Sequence, residues 1–193
     1  MFSARLLVWN CSLKASMGRN FQTKFTALAK VGDRLPSVHL FEGSPRNKIN
    51  IRELTAGQKV IIFGVPGAFT PYTCSMVAHN CKYGIHLPGF VGPAKEFKNA
   101  LHVHDIICVS VNDPFVMSAW GKRYGADGRV RMLADPSGEF VKAMGLAINL
   151  PALGGLRAKR FSMIVVNTIV ADMYLEPAGI EFSCSLTQNY MNN

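Results

Sequence analysis

The stretch KVIIFGVPGAFTPYTCSMVAHNCKYGIHLPGF, residues 59–90, decides the fold. It begins with a continuous apolar run that ends at Val65, and a Pro-Gly pair follows at Pro66. An apolar run of this length, closed by Pro and Gly, is typical of a central strand in an α/β sheet. The turn then leads to Cys74, which we expect at the start of a helix.

Cys74 is the first candidate for chemistry. A cysteine in the first turn of a helix lies among unpaired backbone N–H groups and at the positive end of the helix dipole. Both features favour the thiolate, which is the reactive form of cysteine. The alternative is an inert, buried cysteine, and the strand–turn–helix setting favours the reactive interpretation.

The rest of the chain alternates between predicted strands and predicted helices. The predicted strands are residues 38–41, Lys59–Val65, 106–111, 130–133, and a hairpin of Phe161–Val166 with 169–174. We predict a turn-rich link at 43–50, a helical turn at Ile51–Leu54, helices that open at Pro93 and at Pro114, and a helix after Asp135-Pro136. This order predicts an α/β fold, with a mixed central sheet flanked by helices.

Length and charge limit the classes of function. The 193 residues suit one domain, and no apolar run approaches the roughly 20 residues that span a membrane. The formal charge is +9, of which residues 1–32 carry +5 because they hold five basic residues and no acidic one. The remaining charge is too small to predict a nucleic-acid surface, which needs clustered basic residues.

Residues 1–30 have the composition of a targeting segment. They combine spaced Arg and Lys, hydroxyl residues, apolar residues such as Trp9, and no acid, which is typical of a mitochondrial transit peptide. The alternative is a disordered basic tail. We therefore predict a transit peptide at 1–30 and one folded domain at 31–193.

The other cysteines give weaker signals. Cys108 stands inside an apolar strand, where a cysteine usually serves as a small packing residue. Cys74, His79 and Cys81 match no common zinc spacing, and no fourth ligand is evident. We expect no metal and no other cofactor.

Six motifs follow one another along the chain. They are P-G-A-F-T-P with Cys-Ser close behind it, H-L-P-G-F, V-S-V-N-D-P-F-V-M-S-A-W-G, L-A-D-P-S-G, K-R-F-S-M and C-S-L. Together they resemble the atypical two-cysteine peroxiredoxins of the peroxiredoxin-5 type, over about residues 31–189. The resemblance implies a thioredoxin-like fold and the reduction of hydrogen peroxide, alkyl hydroperoxides and peroxynitrite by thiols.

The resemblance also implies roles for five residues. Cys74 matches the peroxidatic cysteine and Cys184 the resolving cysteine. Thr70 matches the threonine that contacts the peroxide, and Pro66 the proline that shields the reactive thiol from water. Arg160 matches the arginine that stabilises the thiolate and polarises the peroxide. These roles suit the chemistry, since a thiolate attack on peroxide develops charge that fixed donors stabilise.

The sequence departs from the family pattern at the reactive centre. The pattern is T-P-x-C-S-x-x-H-L-P-G-F, whereas here one extra residue precedes Cys74 and ten residues separate Ser75 from His86. The insertion, at residues 72–85, brings a competitor for the peroxidatic role in Cys81. On one straight helix Cys81 would lie about 10.5 Å from Cys74. A disulfide between them would therefore require a broken helix, since its Cα atoms lie within about 7 Å.

The leading interpretation is thus a mitochondrial thiol peroxidase with thioredoxin as its reductant, with a further cytoplasmic location left open. We expect a monomer or a weak homodimer, with no nucleic-acid or membrane partner. The alternative is a catalytically impaired protein of the same fold, in which the insertion has disabled the enzyme and a binding or regulatory role remains.

Overall fold

The computed structural model describes residues 28–70 and 87–176. Its strands are β1 His39–Glu42, β2 Lys48–Asn50, β3 Lys59–Val65, β4 Asp105–Ser110, β5 Arg131–Ala134, β6 Ala147–Leu150, β7 Gly155–Ala158, β8 Phe161–Val166 and β9 Ile169–Leu175. Its helices are α1 Ile51–Leu54, α2 Leu87–Val91, α3 Ala94–Ala100, α4 Pro114–Arg123 and α5 Glu139–Ala143, with a 3-10 turn at Pro151–Leu153.

Seven of the described strands form one mixed sheet. Their order is β2-β1-β5-β4-β3-β8-β9, and β6 pairs with β7 in a separate hairpin. The central strand β3 is parallel to β4 and antiparallel to β8. The pairing of β4 with β5 is parallel, and the outer pairs are antiparallel. The predicted mixed sheet with β3 in its interior is therefore confirmed.

The central strand is buried on both faces of the sheet. Val60 and Ile62 belong to one apolar cluster, whereas Ile61 and Phe63 belong to another. Successive side chains of a strand point to opposite faces, so β3 contributes to two cores at once. This explains why its sequence is apolar without alternation.

Helices cover both faces of the sheet. Phe97 of α3 and Trp120 of α4 are fully buried in one cluster, and Phe140 of α5 is fully buried in the other. The start of α4 is capped by the Asp113 carboxylate, which accepts hydrogen bonds from the backbone N–H groups two and three residues further along the chain, at 2.9 Å each. Pro114 is the first residue of α4, which confirms the predicted start.

The predicted strands are confirmed to within one or two residues. The hairpin of β8 and β9 turns at Asn167 and Thr168, both of which have positive φ angles, of 46° and 70°. In a two-residue hairpin, two residues with left-handed backbone form a turn whose twist matches that of the flanking strands. Cys108 is fully buried in β4, as the packing interpretation predicted.

Two parts of the fold differ from the sequence expectation. The link predicted at residues 43–50 contains a short strand, β2, that pairs with β1. The hairpin of β6 and β7 was not predicted at all, because its strands are short and only partly buried and so show no clean apolar alternation.

Some predictions fall outside the described residues. These are the transit peptide at 1–30 and the helix that starts at Cys74. Within the described residues, no helix is long and apolar enough to cross a membrane.

Gly64 gives a test of the packing between β3 and β8. A Cβ at this position would lie 2.0 Å from Cε1 of Phe161, so the ring occupies the space that any larger residue needs. We predict that Gly64→Ala lowers the free energy of unfolding by about 1–3 kcal/mol through overpacking. Urea unfolding monitored by circular dichroism measures this loss.

The matched control is Phe161→Leu combined with Gly64→Ala. Removing the ring opens the space, so the double variant should lose less stability than the sum of the two single losses. Strictly additive losses would show that Gly64 and Phe161 do not compete for one space.

Candidate active site

The candidate site lies at the edge of the sheet where β3 ends. The parallel strands β3 and β4 end together, since Val65 pairs with Ser110. The antiparallel strand β8 begins at this edge, because its first residue, Phe161, pairs with Gly64. Residues that follow β3 therefore lie beside residues that precede β8. In open α/β sheets, ligands commonly bind at the carboxyl ends of parallel strands.

The loop after β3 carries two of the predicted site residues, Pro66 and Thr70. Pro66 and Gly67 are buried. The Thr70 hydroxyl donates a hydrogen bond of 3.0 Å to the Gly67 carbonyl, which closes the loop on itself. Phe69 has a φ of 57°, a left-handed backbone that is uncommon for a bulky residue. Unusual backbone of this kind is concentrated at functional sites.

Side chains that follow β4 hold this loop in place. The Asn112 side-chain oxygen accepts a hydrogen bond of 3.0 Å from the Ala68 N–H. The same oxygen lies 2.8 Å from the Ser110 hydroxyl, which also lies 3.0 Å from the Val65 carbonyl. Hydrogen bonds inside the protein thus tie the turn to the neighbouring strand end.

Arg160 places a charged group at the same edge. It immediately precedes β8 and only 4% of its surface is exposed. Burial lowers the pKa of its guanidinium to about 10, because the charged form loses its hydration. The group remains a cation at neutral pH, and a cation held with so little water around it acts strongly on nearby negative charge.

Glu176 supports the charge of Arg160. It directly follows β9, is fully buried, and its backbone N–H donates a hydrogen bond of 3.1 Å to the Arg160 carbonyl. Its carboxylate opposes the effect of burial and raises the pKa of Arg160. Glu176 is therefore the electrostatic partner that lets the sheet edge hold a buried cation.

The structure thus brings Pro66, Thr70 and Arg160 to one edge of the sheet. The three cysteines of the predicted chemistry, Cys74, Cys81 and Cys184, lie outside the described residues. Cys108, the cysteine that the described residues contain, belongs to the packing, and burial raises the pKa of its thiol well above the ordinary value.

Three contributors to this edge were not predicted from the sequence. Asn112 stands inside the V-S-V-N-D-P motif but has no role assigned to it there, and Glu176 and Arg157 belong to no motif. Arg157 donates from Nη1 to the Val111 carbonyl at 3.0 Å and from Nη2 to the Leu153 carbonyl. An Arg three residues before Arg160 is visible in the sequence, but its partners depend on the tertiary fold.

Comparison with known proteins places the chain in a family. The Redoxin family model matches residues 30–185. Peroxiredoxin-2C of Arabidopsis thaliana is 42% identical over 165 residues, which cover 83% of this chain and 95% of that protein. Peroxiredoxin-2C of Oryza sativa is 44% identical over 153 residues, which cover 77% of this chain and 88% of that protein. The chain belongs to the peroxiredoxin family.

Solved structures agree with this placement. Reduced Prx3 of Vibrio vulnificus in complex with hydrogen peroxide matches with a TM-score of 0.74 and 38% identity, covering 86% of this chain and 98% of that one. Peroxiredoxin 5 of Alvinella pompejana matches with a TM-score of 0.66 and 36% identity, covering 78% of this chain and 92% of that one. The peroxiredoxin has the predicted thioredoxin-like fold, with helices around a mixed central sheet.

Membership makes this protein a thiol-dependent peroxidase, an oxidoreductase that reduces peroxides. The relatives include peroxiredoxins of several types, so the family is shown and the peroxiredoxin-5 type within it is not singled out. Among the described residues, no group of three or more His, Cys, Asp or Glu side chains could hold a metal ion.

We predict that Glu176→Gln lowers the free energy of unfolding of the peroxiredoxin by about 1–3 kcal/mol at pH 7, because it removes a buried carboxylate whose charge opposes the desolvation of Arg160. The substitution lowers the pKa of Arg160 further below the value of about 10 in the native protein. The unfolded chain keeps its Arg charged at these pH values. The stability deficit is therefore full while Arg160 is charged in both proteins, shrinks as the pH rises from the lower pKa of the variant towards about 10, and is lost above that pH.

Urea unfolding of both proteins between pH 7 and pH 10.5 measures this deficit. Glu96→Gln is the matched control, since Glu96 is exposed and its loss should change stability by less than about 0.5 kcal/mol. A Glu176→Gln deficit that stays constant across this pH range would contradict the assignment of Glu176 as the partner of Arg160.

Proposed function

We propose that this peroxiredoxin reduces hydroperoxides with Cys74 as its peroxidatic residue. The Cys74 thiolate attacks one peroxide oxygen, and the O–O bond breaks. The sulfur becomes a sulfenic acid, and the other oxygen leaves as an alkoxide or hydroxide that takes up a proton to give alcohol or water. The sulfur is thereby oxidised by two electrons, and the peroxide is reduced by two.

The observation that supports this proposal most is the buried cation beside the loop after β3. Arg160 precedes β8 at the edge where Pro66 and Thr70 follow β3. Cys74 stands four residues after Thr70 in the sequence. A cation in this place favours the thiolate over the thiol. It also stabilises the negative charge that develops on the leaving oxygen.

Thr70 is proposed to orient the peroxide by accepting a hydrogen bond. The proton of its hydroxyl already points to the Gly67 carbonyl. A hydroxyl oxygen that donates its proton has two lone pairs, and one of them can accept the O–H of a hydroperoxide. Thr70 would therefore select the end of the substrate that carries hydrogen, while Arg160 polarises the O–O bond.

Pro66 is proposed to keep water away from the reacting sulfur. It is buried and directly follows β3 in the sequence, and as a proline it has no backbone N–H to donate into the site. Exclusion of water strengthens the electrostatic effect of Arg160.

We propose that Cys184 resolves the sulfenic acid of Cys74. Its thiolate attacks the oxidised sulfur, water leaves, and a disulfide forms within the chain. Thioredoxin then supplies the two electrons that reduce the disulfide. This scheme is that of the peroxiredoxin-5 type, which the C-S-L motif around Cys184 supports. Hydrogen peroxide, alkyl hydroperoxides and peroxynitrite are the proposed substrates.

The acid-free basic composition of residues 1–30 supports a mitochondrial location, which we propose for the mature enzyme. The mature protein is then proposed to act as a monomer or a weak homodimer.

Separate serine substitutions test the peroxidatic assignment. We predict that Cys74→Ser abolishes peroxide-dependent oxidation of thioredoxin, because a serine hydroxyl is far less acidic than a thiol and does not form the anion that attacks. Cys81→Ser should retain this activity. Cys11→Ser, in the predicted transit peptide, is the control and should retain the activity of the wild type. Activity that survives in Cys74→Ser and disappears in Cys81→Ser would assign the role to Cys81. Absence of peroxide consumption by the folded wild-type protein would favour the alternative, a peroxiredoxin without catalysis that has a binding or regulatory role.

Thr70 gives a test of the peroxide-binding loop. We predict that Thr70→Val lowers the second-order rate constant for hydrogen peroxide by about 100-fold, since removal of one group that stabilises a transition state has effects of this size. Thr70→Ser keeps the hydroxyl and should retain most of the rate. Stopped-flow fluorescence of the reduced protein measures both. Equal rates for Thr70→Val and Thr70→Ser would show that the hydroxyl takes no part.

A further inference from the structure

Arg157 connects three parts of the molecule that meet beside the loop after β3. It lies on β7, in the hairpin that the sequence did not predict. One terminal nitrogen, Nη1, donates to the Val111 carbonyl at 3.0 Å, and the other, Nη2, donates to the Leu153 carbonyl. One side chain thus joins the 3-10 turn of the β6–β7 hairpin to the segment that follows β4.

The guanidinium of Arg157 also packs against the loop itself. A Cβ built on Gly67 would lie 3.7 Å from Nη1 of Arg157 and 3.1 Å from Cγ2 of Thr70. The Thr70 and Arg157 side chains therefore converge on the same side of Gly67. Because Gly67 also accepts the hydrogen bond of the Thr70 hydroxyl, a shift of its backbone would move the acceptor that orients Thr70.

A second connection runs through the segment after β4. Arg157 binds the carbonyl of Val111, and the next residue, Asn112, accepts the Ala68 N–H at 3.0 Å. Loss of the first hydrogen bond frees the peptide unit that carries Asn112. Arg157 thus acts on the loop from Pro66 to Thr70 both directly and through Asn112.

The position is costly for an arginine. Arg157 is half-buried, its Nε is buried, and this Nε finds no hydrogen-bond partner among residues 28–70 and 87–176. Both groups that it does bind are neutral carbonyls. A buried donor without an acceptor calls for an explanation beyond stability. The planar fork of a guanidinium, which reaches two carbonyls at fixed geometry, supplies one that a lysine cannot match.

We propose that Arg157 is a positioning residue for peroxide reduction. It fixes the backbone of Gly67 and Asn112, and so fixes the direction of the Thr70 hydroxyl toward bound hydroperoxide. This inference rests on the proposed role of Thr70 in the reaction. It assigns to Arg157 no contact with substrate and no part in recycling by thiols.

A kinetic double-mutant cycle tests the proposal. Stopped-flow fluorescence measures the second-order rate constant of the full-length reduced protein with hydrogen peroxide, for Arg157→Met, Thr70→Val and the double variant. We expect Arg157→Met alone to lower the constant by about tenfold, since small misplacements of a reacting group have effects of this order. In the Thr70→Val background it should have almost no further effect, because the hydroxyl that it positions is absent.

Two further variants serve as a conservative substitution and as a matched control. Arg157→Lys keeps a cation and one donor, folds if Arg157→Met does not, and should lower the constant by less than Arg157→Met. Arg52→Met is the matched control, since Arg52 is also half-buried and donates from Nε to a backbone carbonyl, that of Leu35 at 2.6 Å, outside the site. Its rate constant should remain that of the wild type.

The outcomes separate this inference from the proposed function. A large effect of Thr70→Val together with wild-type rates for Arg157→Met and Arg157→Lys would overturn the positioning role alone. Additive losses in the double variant would also overturn it, since Arg157 would then act independently of Thr70. No effect of Thr70→Val would instead reject the proposed role of the loop.

Discussion

The pairing of β3 between a parallel and an antiparallel neighbour is the constraint on which the site depends. The parallel strand β4 ends level with β3, and the antiparallel strand β8 begins there. The loop after β3, Asn112 after β4 and Arg160 before β8 therefore meet at one edge. A register shift of one residue would turn every side chain of β8 to the other face and separate these groups. Gly64, which leaves room for the ring of Phe161, is part of the packing that fixes this register.

The second requirement is a cation that stays in place with little water around it. Arg160 is almost fully buried, and Glu176 is fully buried beside its backbone. Desolvation alone lowers the pKa of Arg160, and the Glu176 carboxylate counteracts it. The fold thus accepts a local electrostatic cost at the place where the proposed peroxide chemistry needs a fixed positive charge. The polar contacts of Asn112 and Arg157 serve the same end, because they order a loop with unusual backbone at Phe69.

The sequence was most informative where one strand or one motif determines the result. The unbroken apolar run of β3 predicted a central strand, and the Pro at the start of α4 predicted its first residue. The motifs predicted the family, and with it Pro66, Thr70 and Arg160 as residues of one site. The short strands β6 and β7 are partly exposed and lack an apolar alternation, so they gave no signal.

Glu176 and Arg157 could not be predicted for a different reason. An isolated Glu or Arg in a sequence is usually a solvated surface residue. Glu176 acquires its role only because β9 ends beside the start of β8, and Arg157 acquires its role only because a hairpin brings β7 against the segment that follows β4. Both roles arise from contacts between distant segments, which the local pattern of the chain does not encode.

In the proposed mechanism the cation of Arg160 and the hydroxyl of Thr70 act at the Cys74 sulfur. A crystal structure of the reduced protein at a resolution that places residues 71–86 tests it most directly, through the distances from each candidate sulfur to Arg160 and Thr70. We expect the Sγ atom of Cys74 within about 4–6 Å of the Arg160 guanidinium, the range in which an opposite charge favours a thiolate. The Sγ atom of Cys81 in that position, with Cys74 remote from both residues, would contradict it.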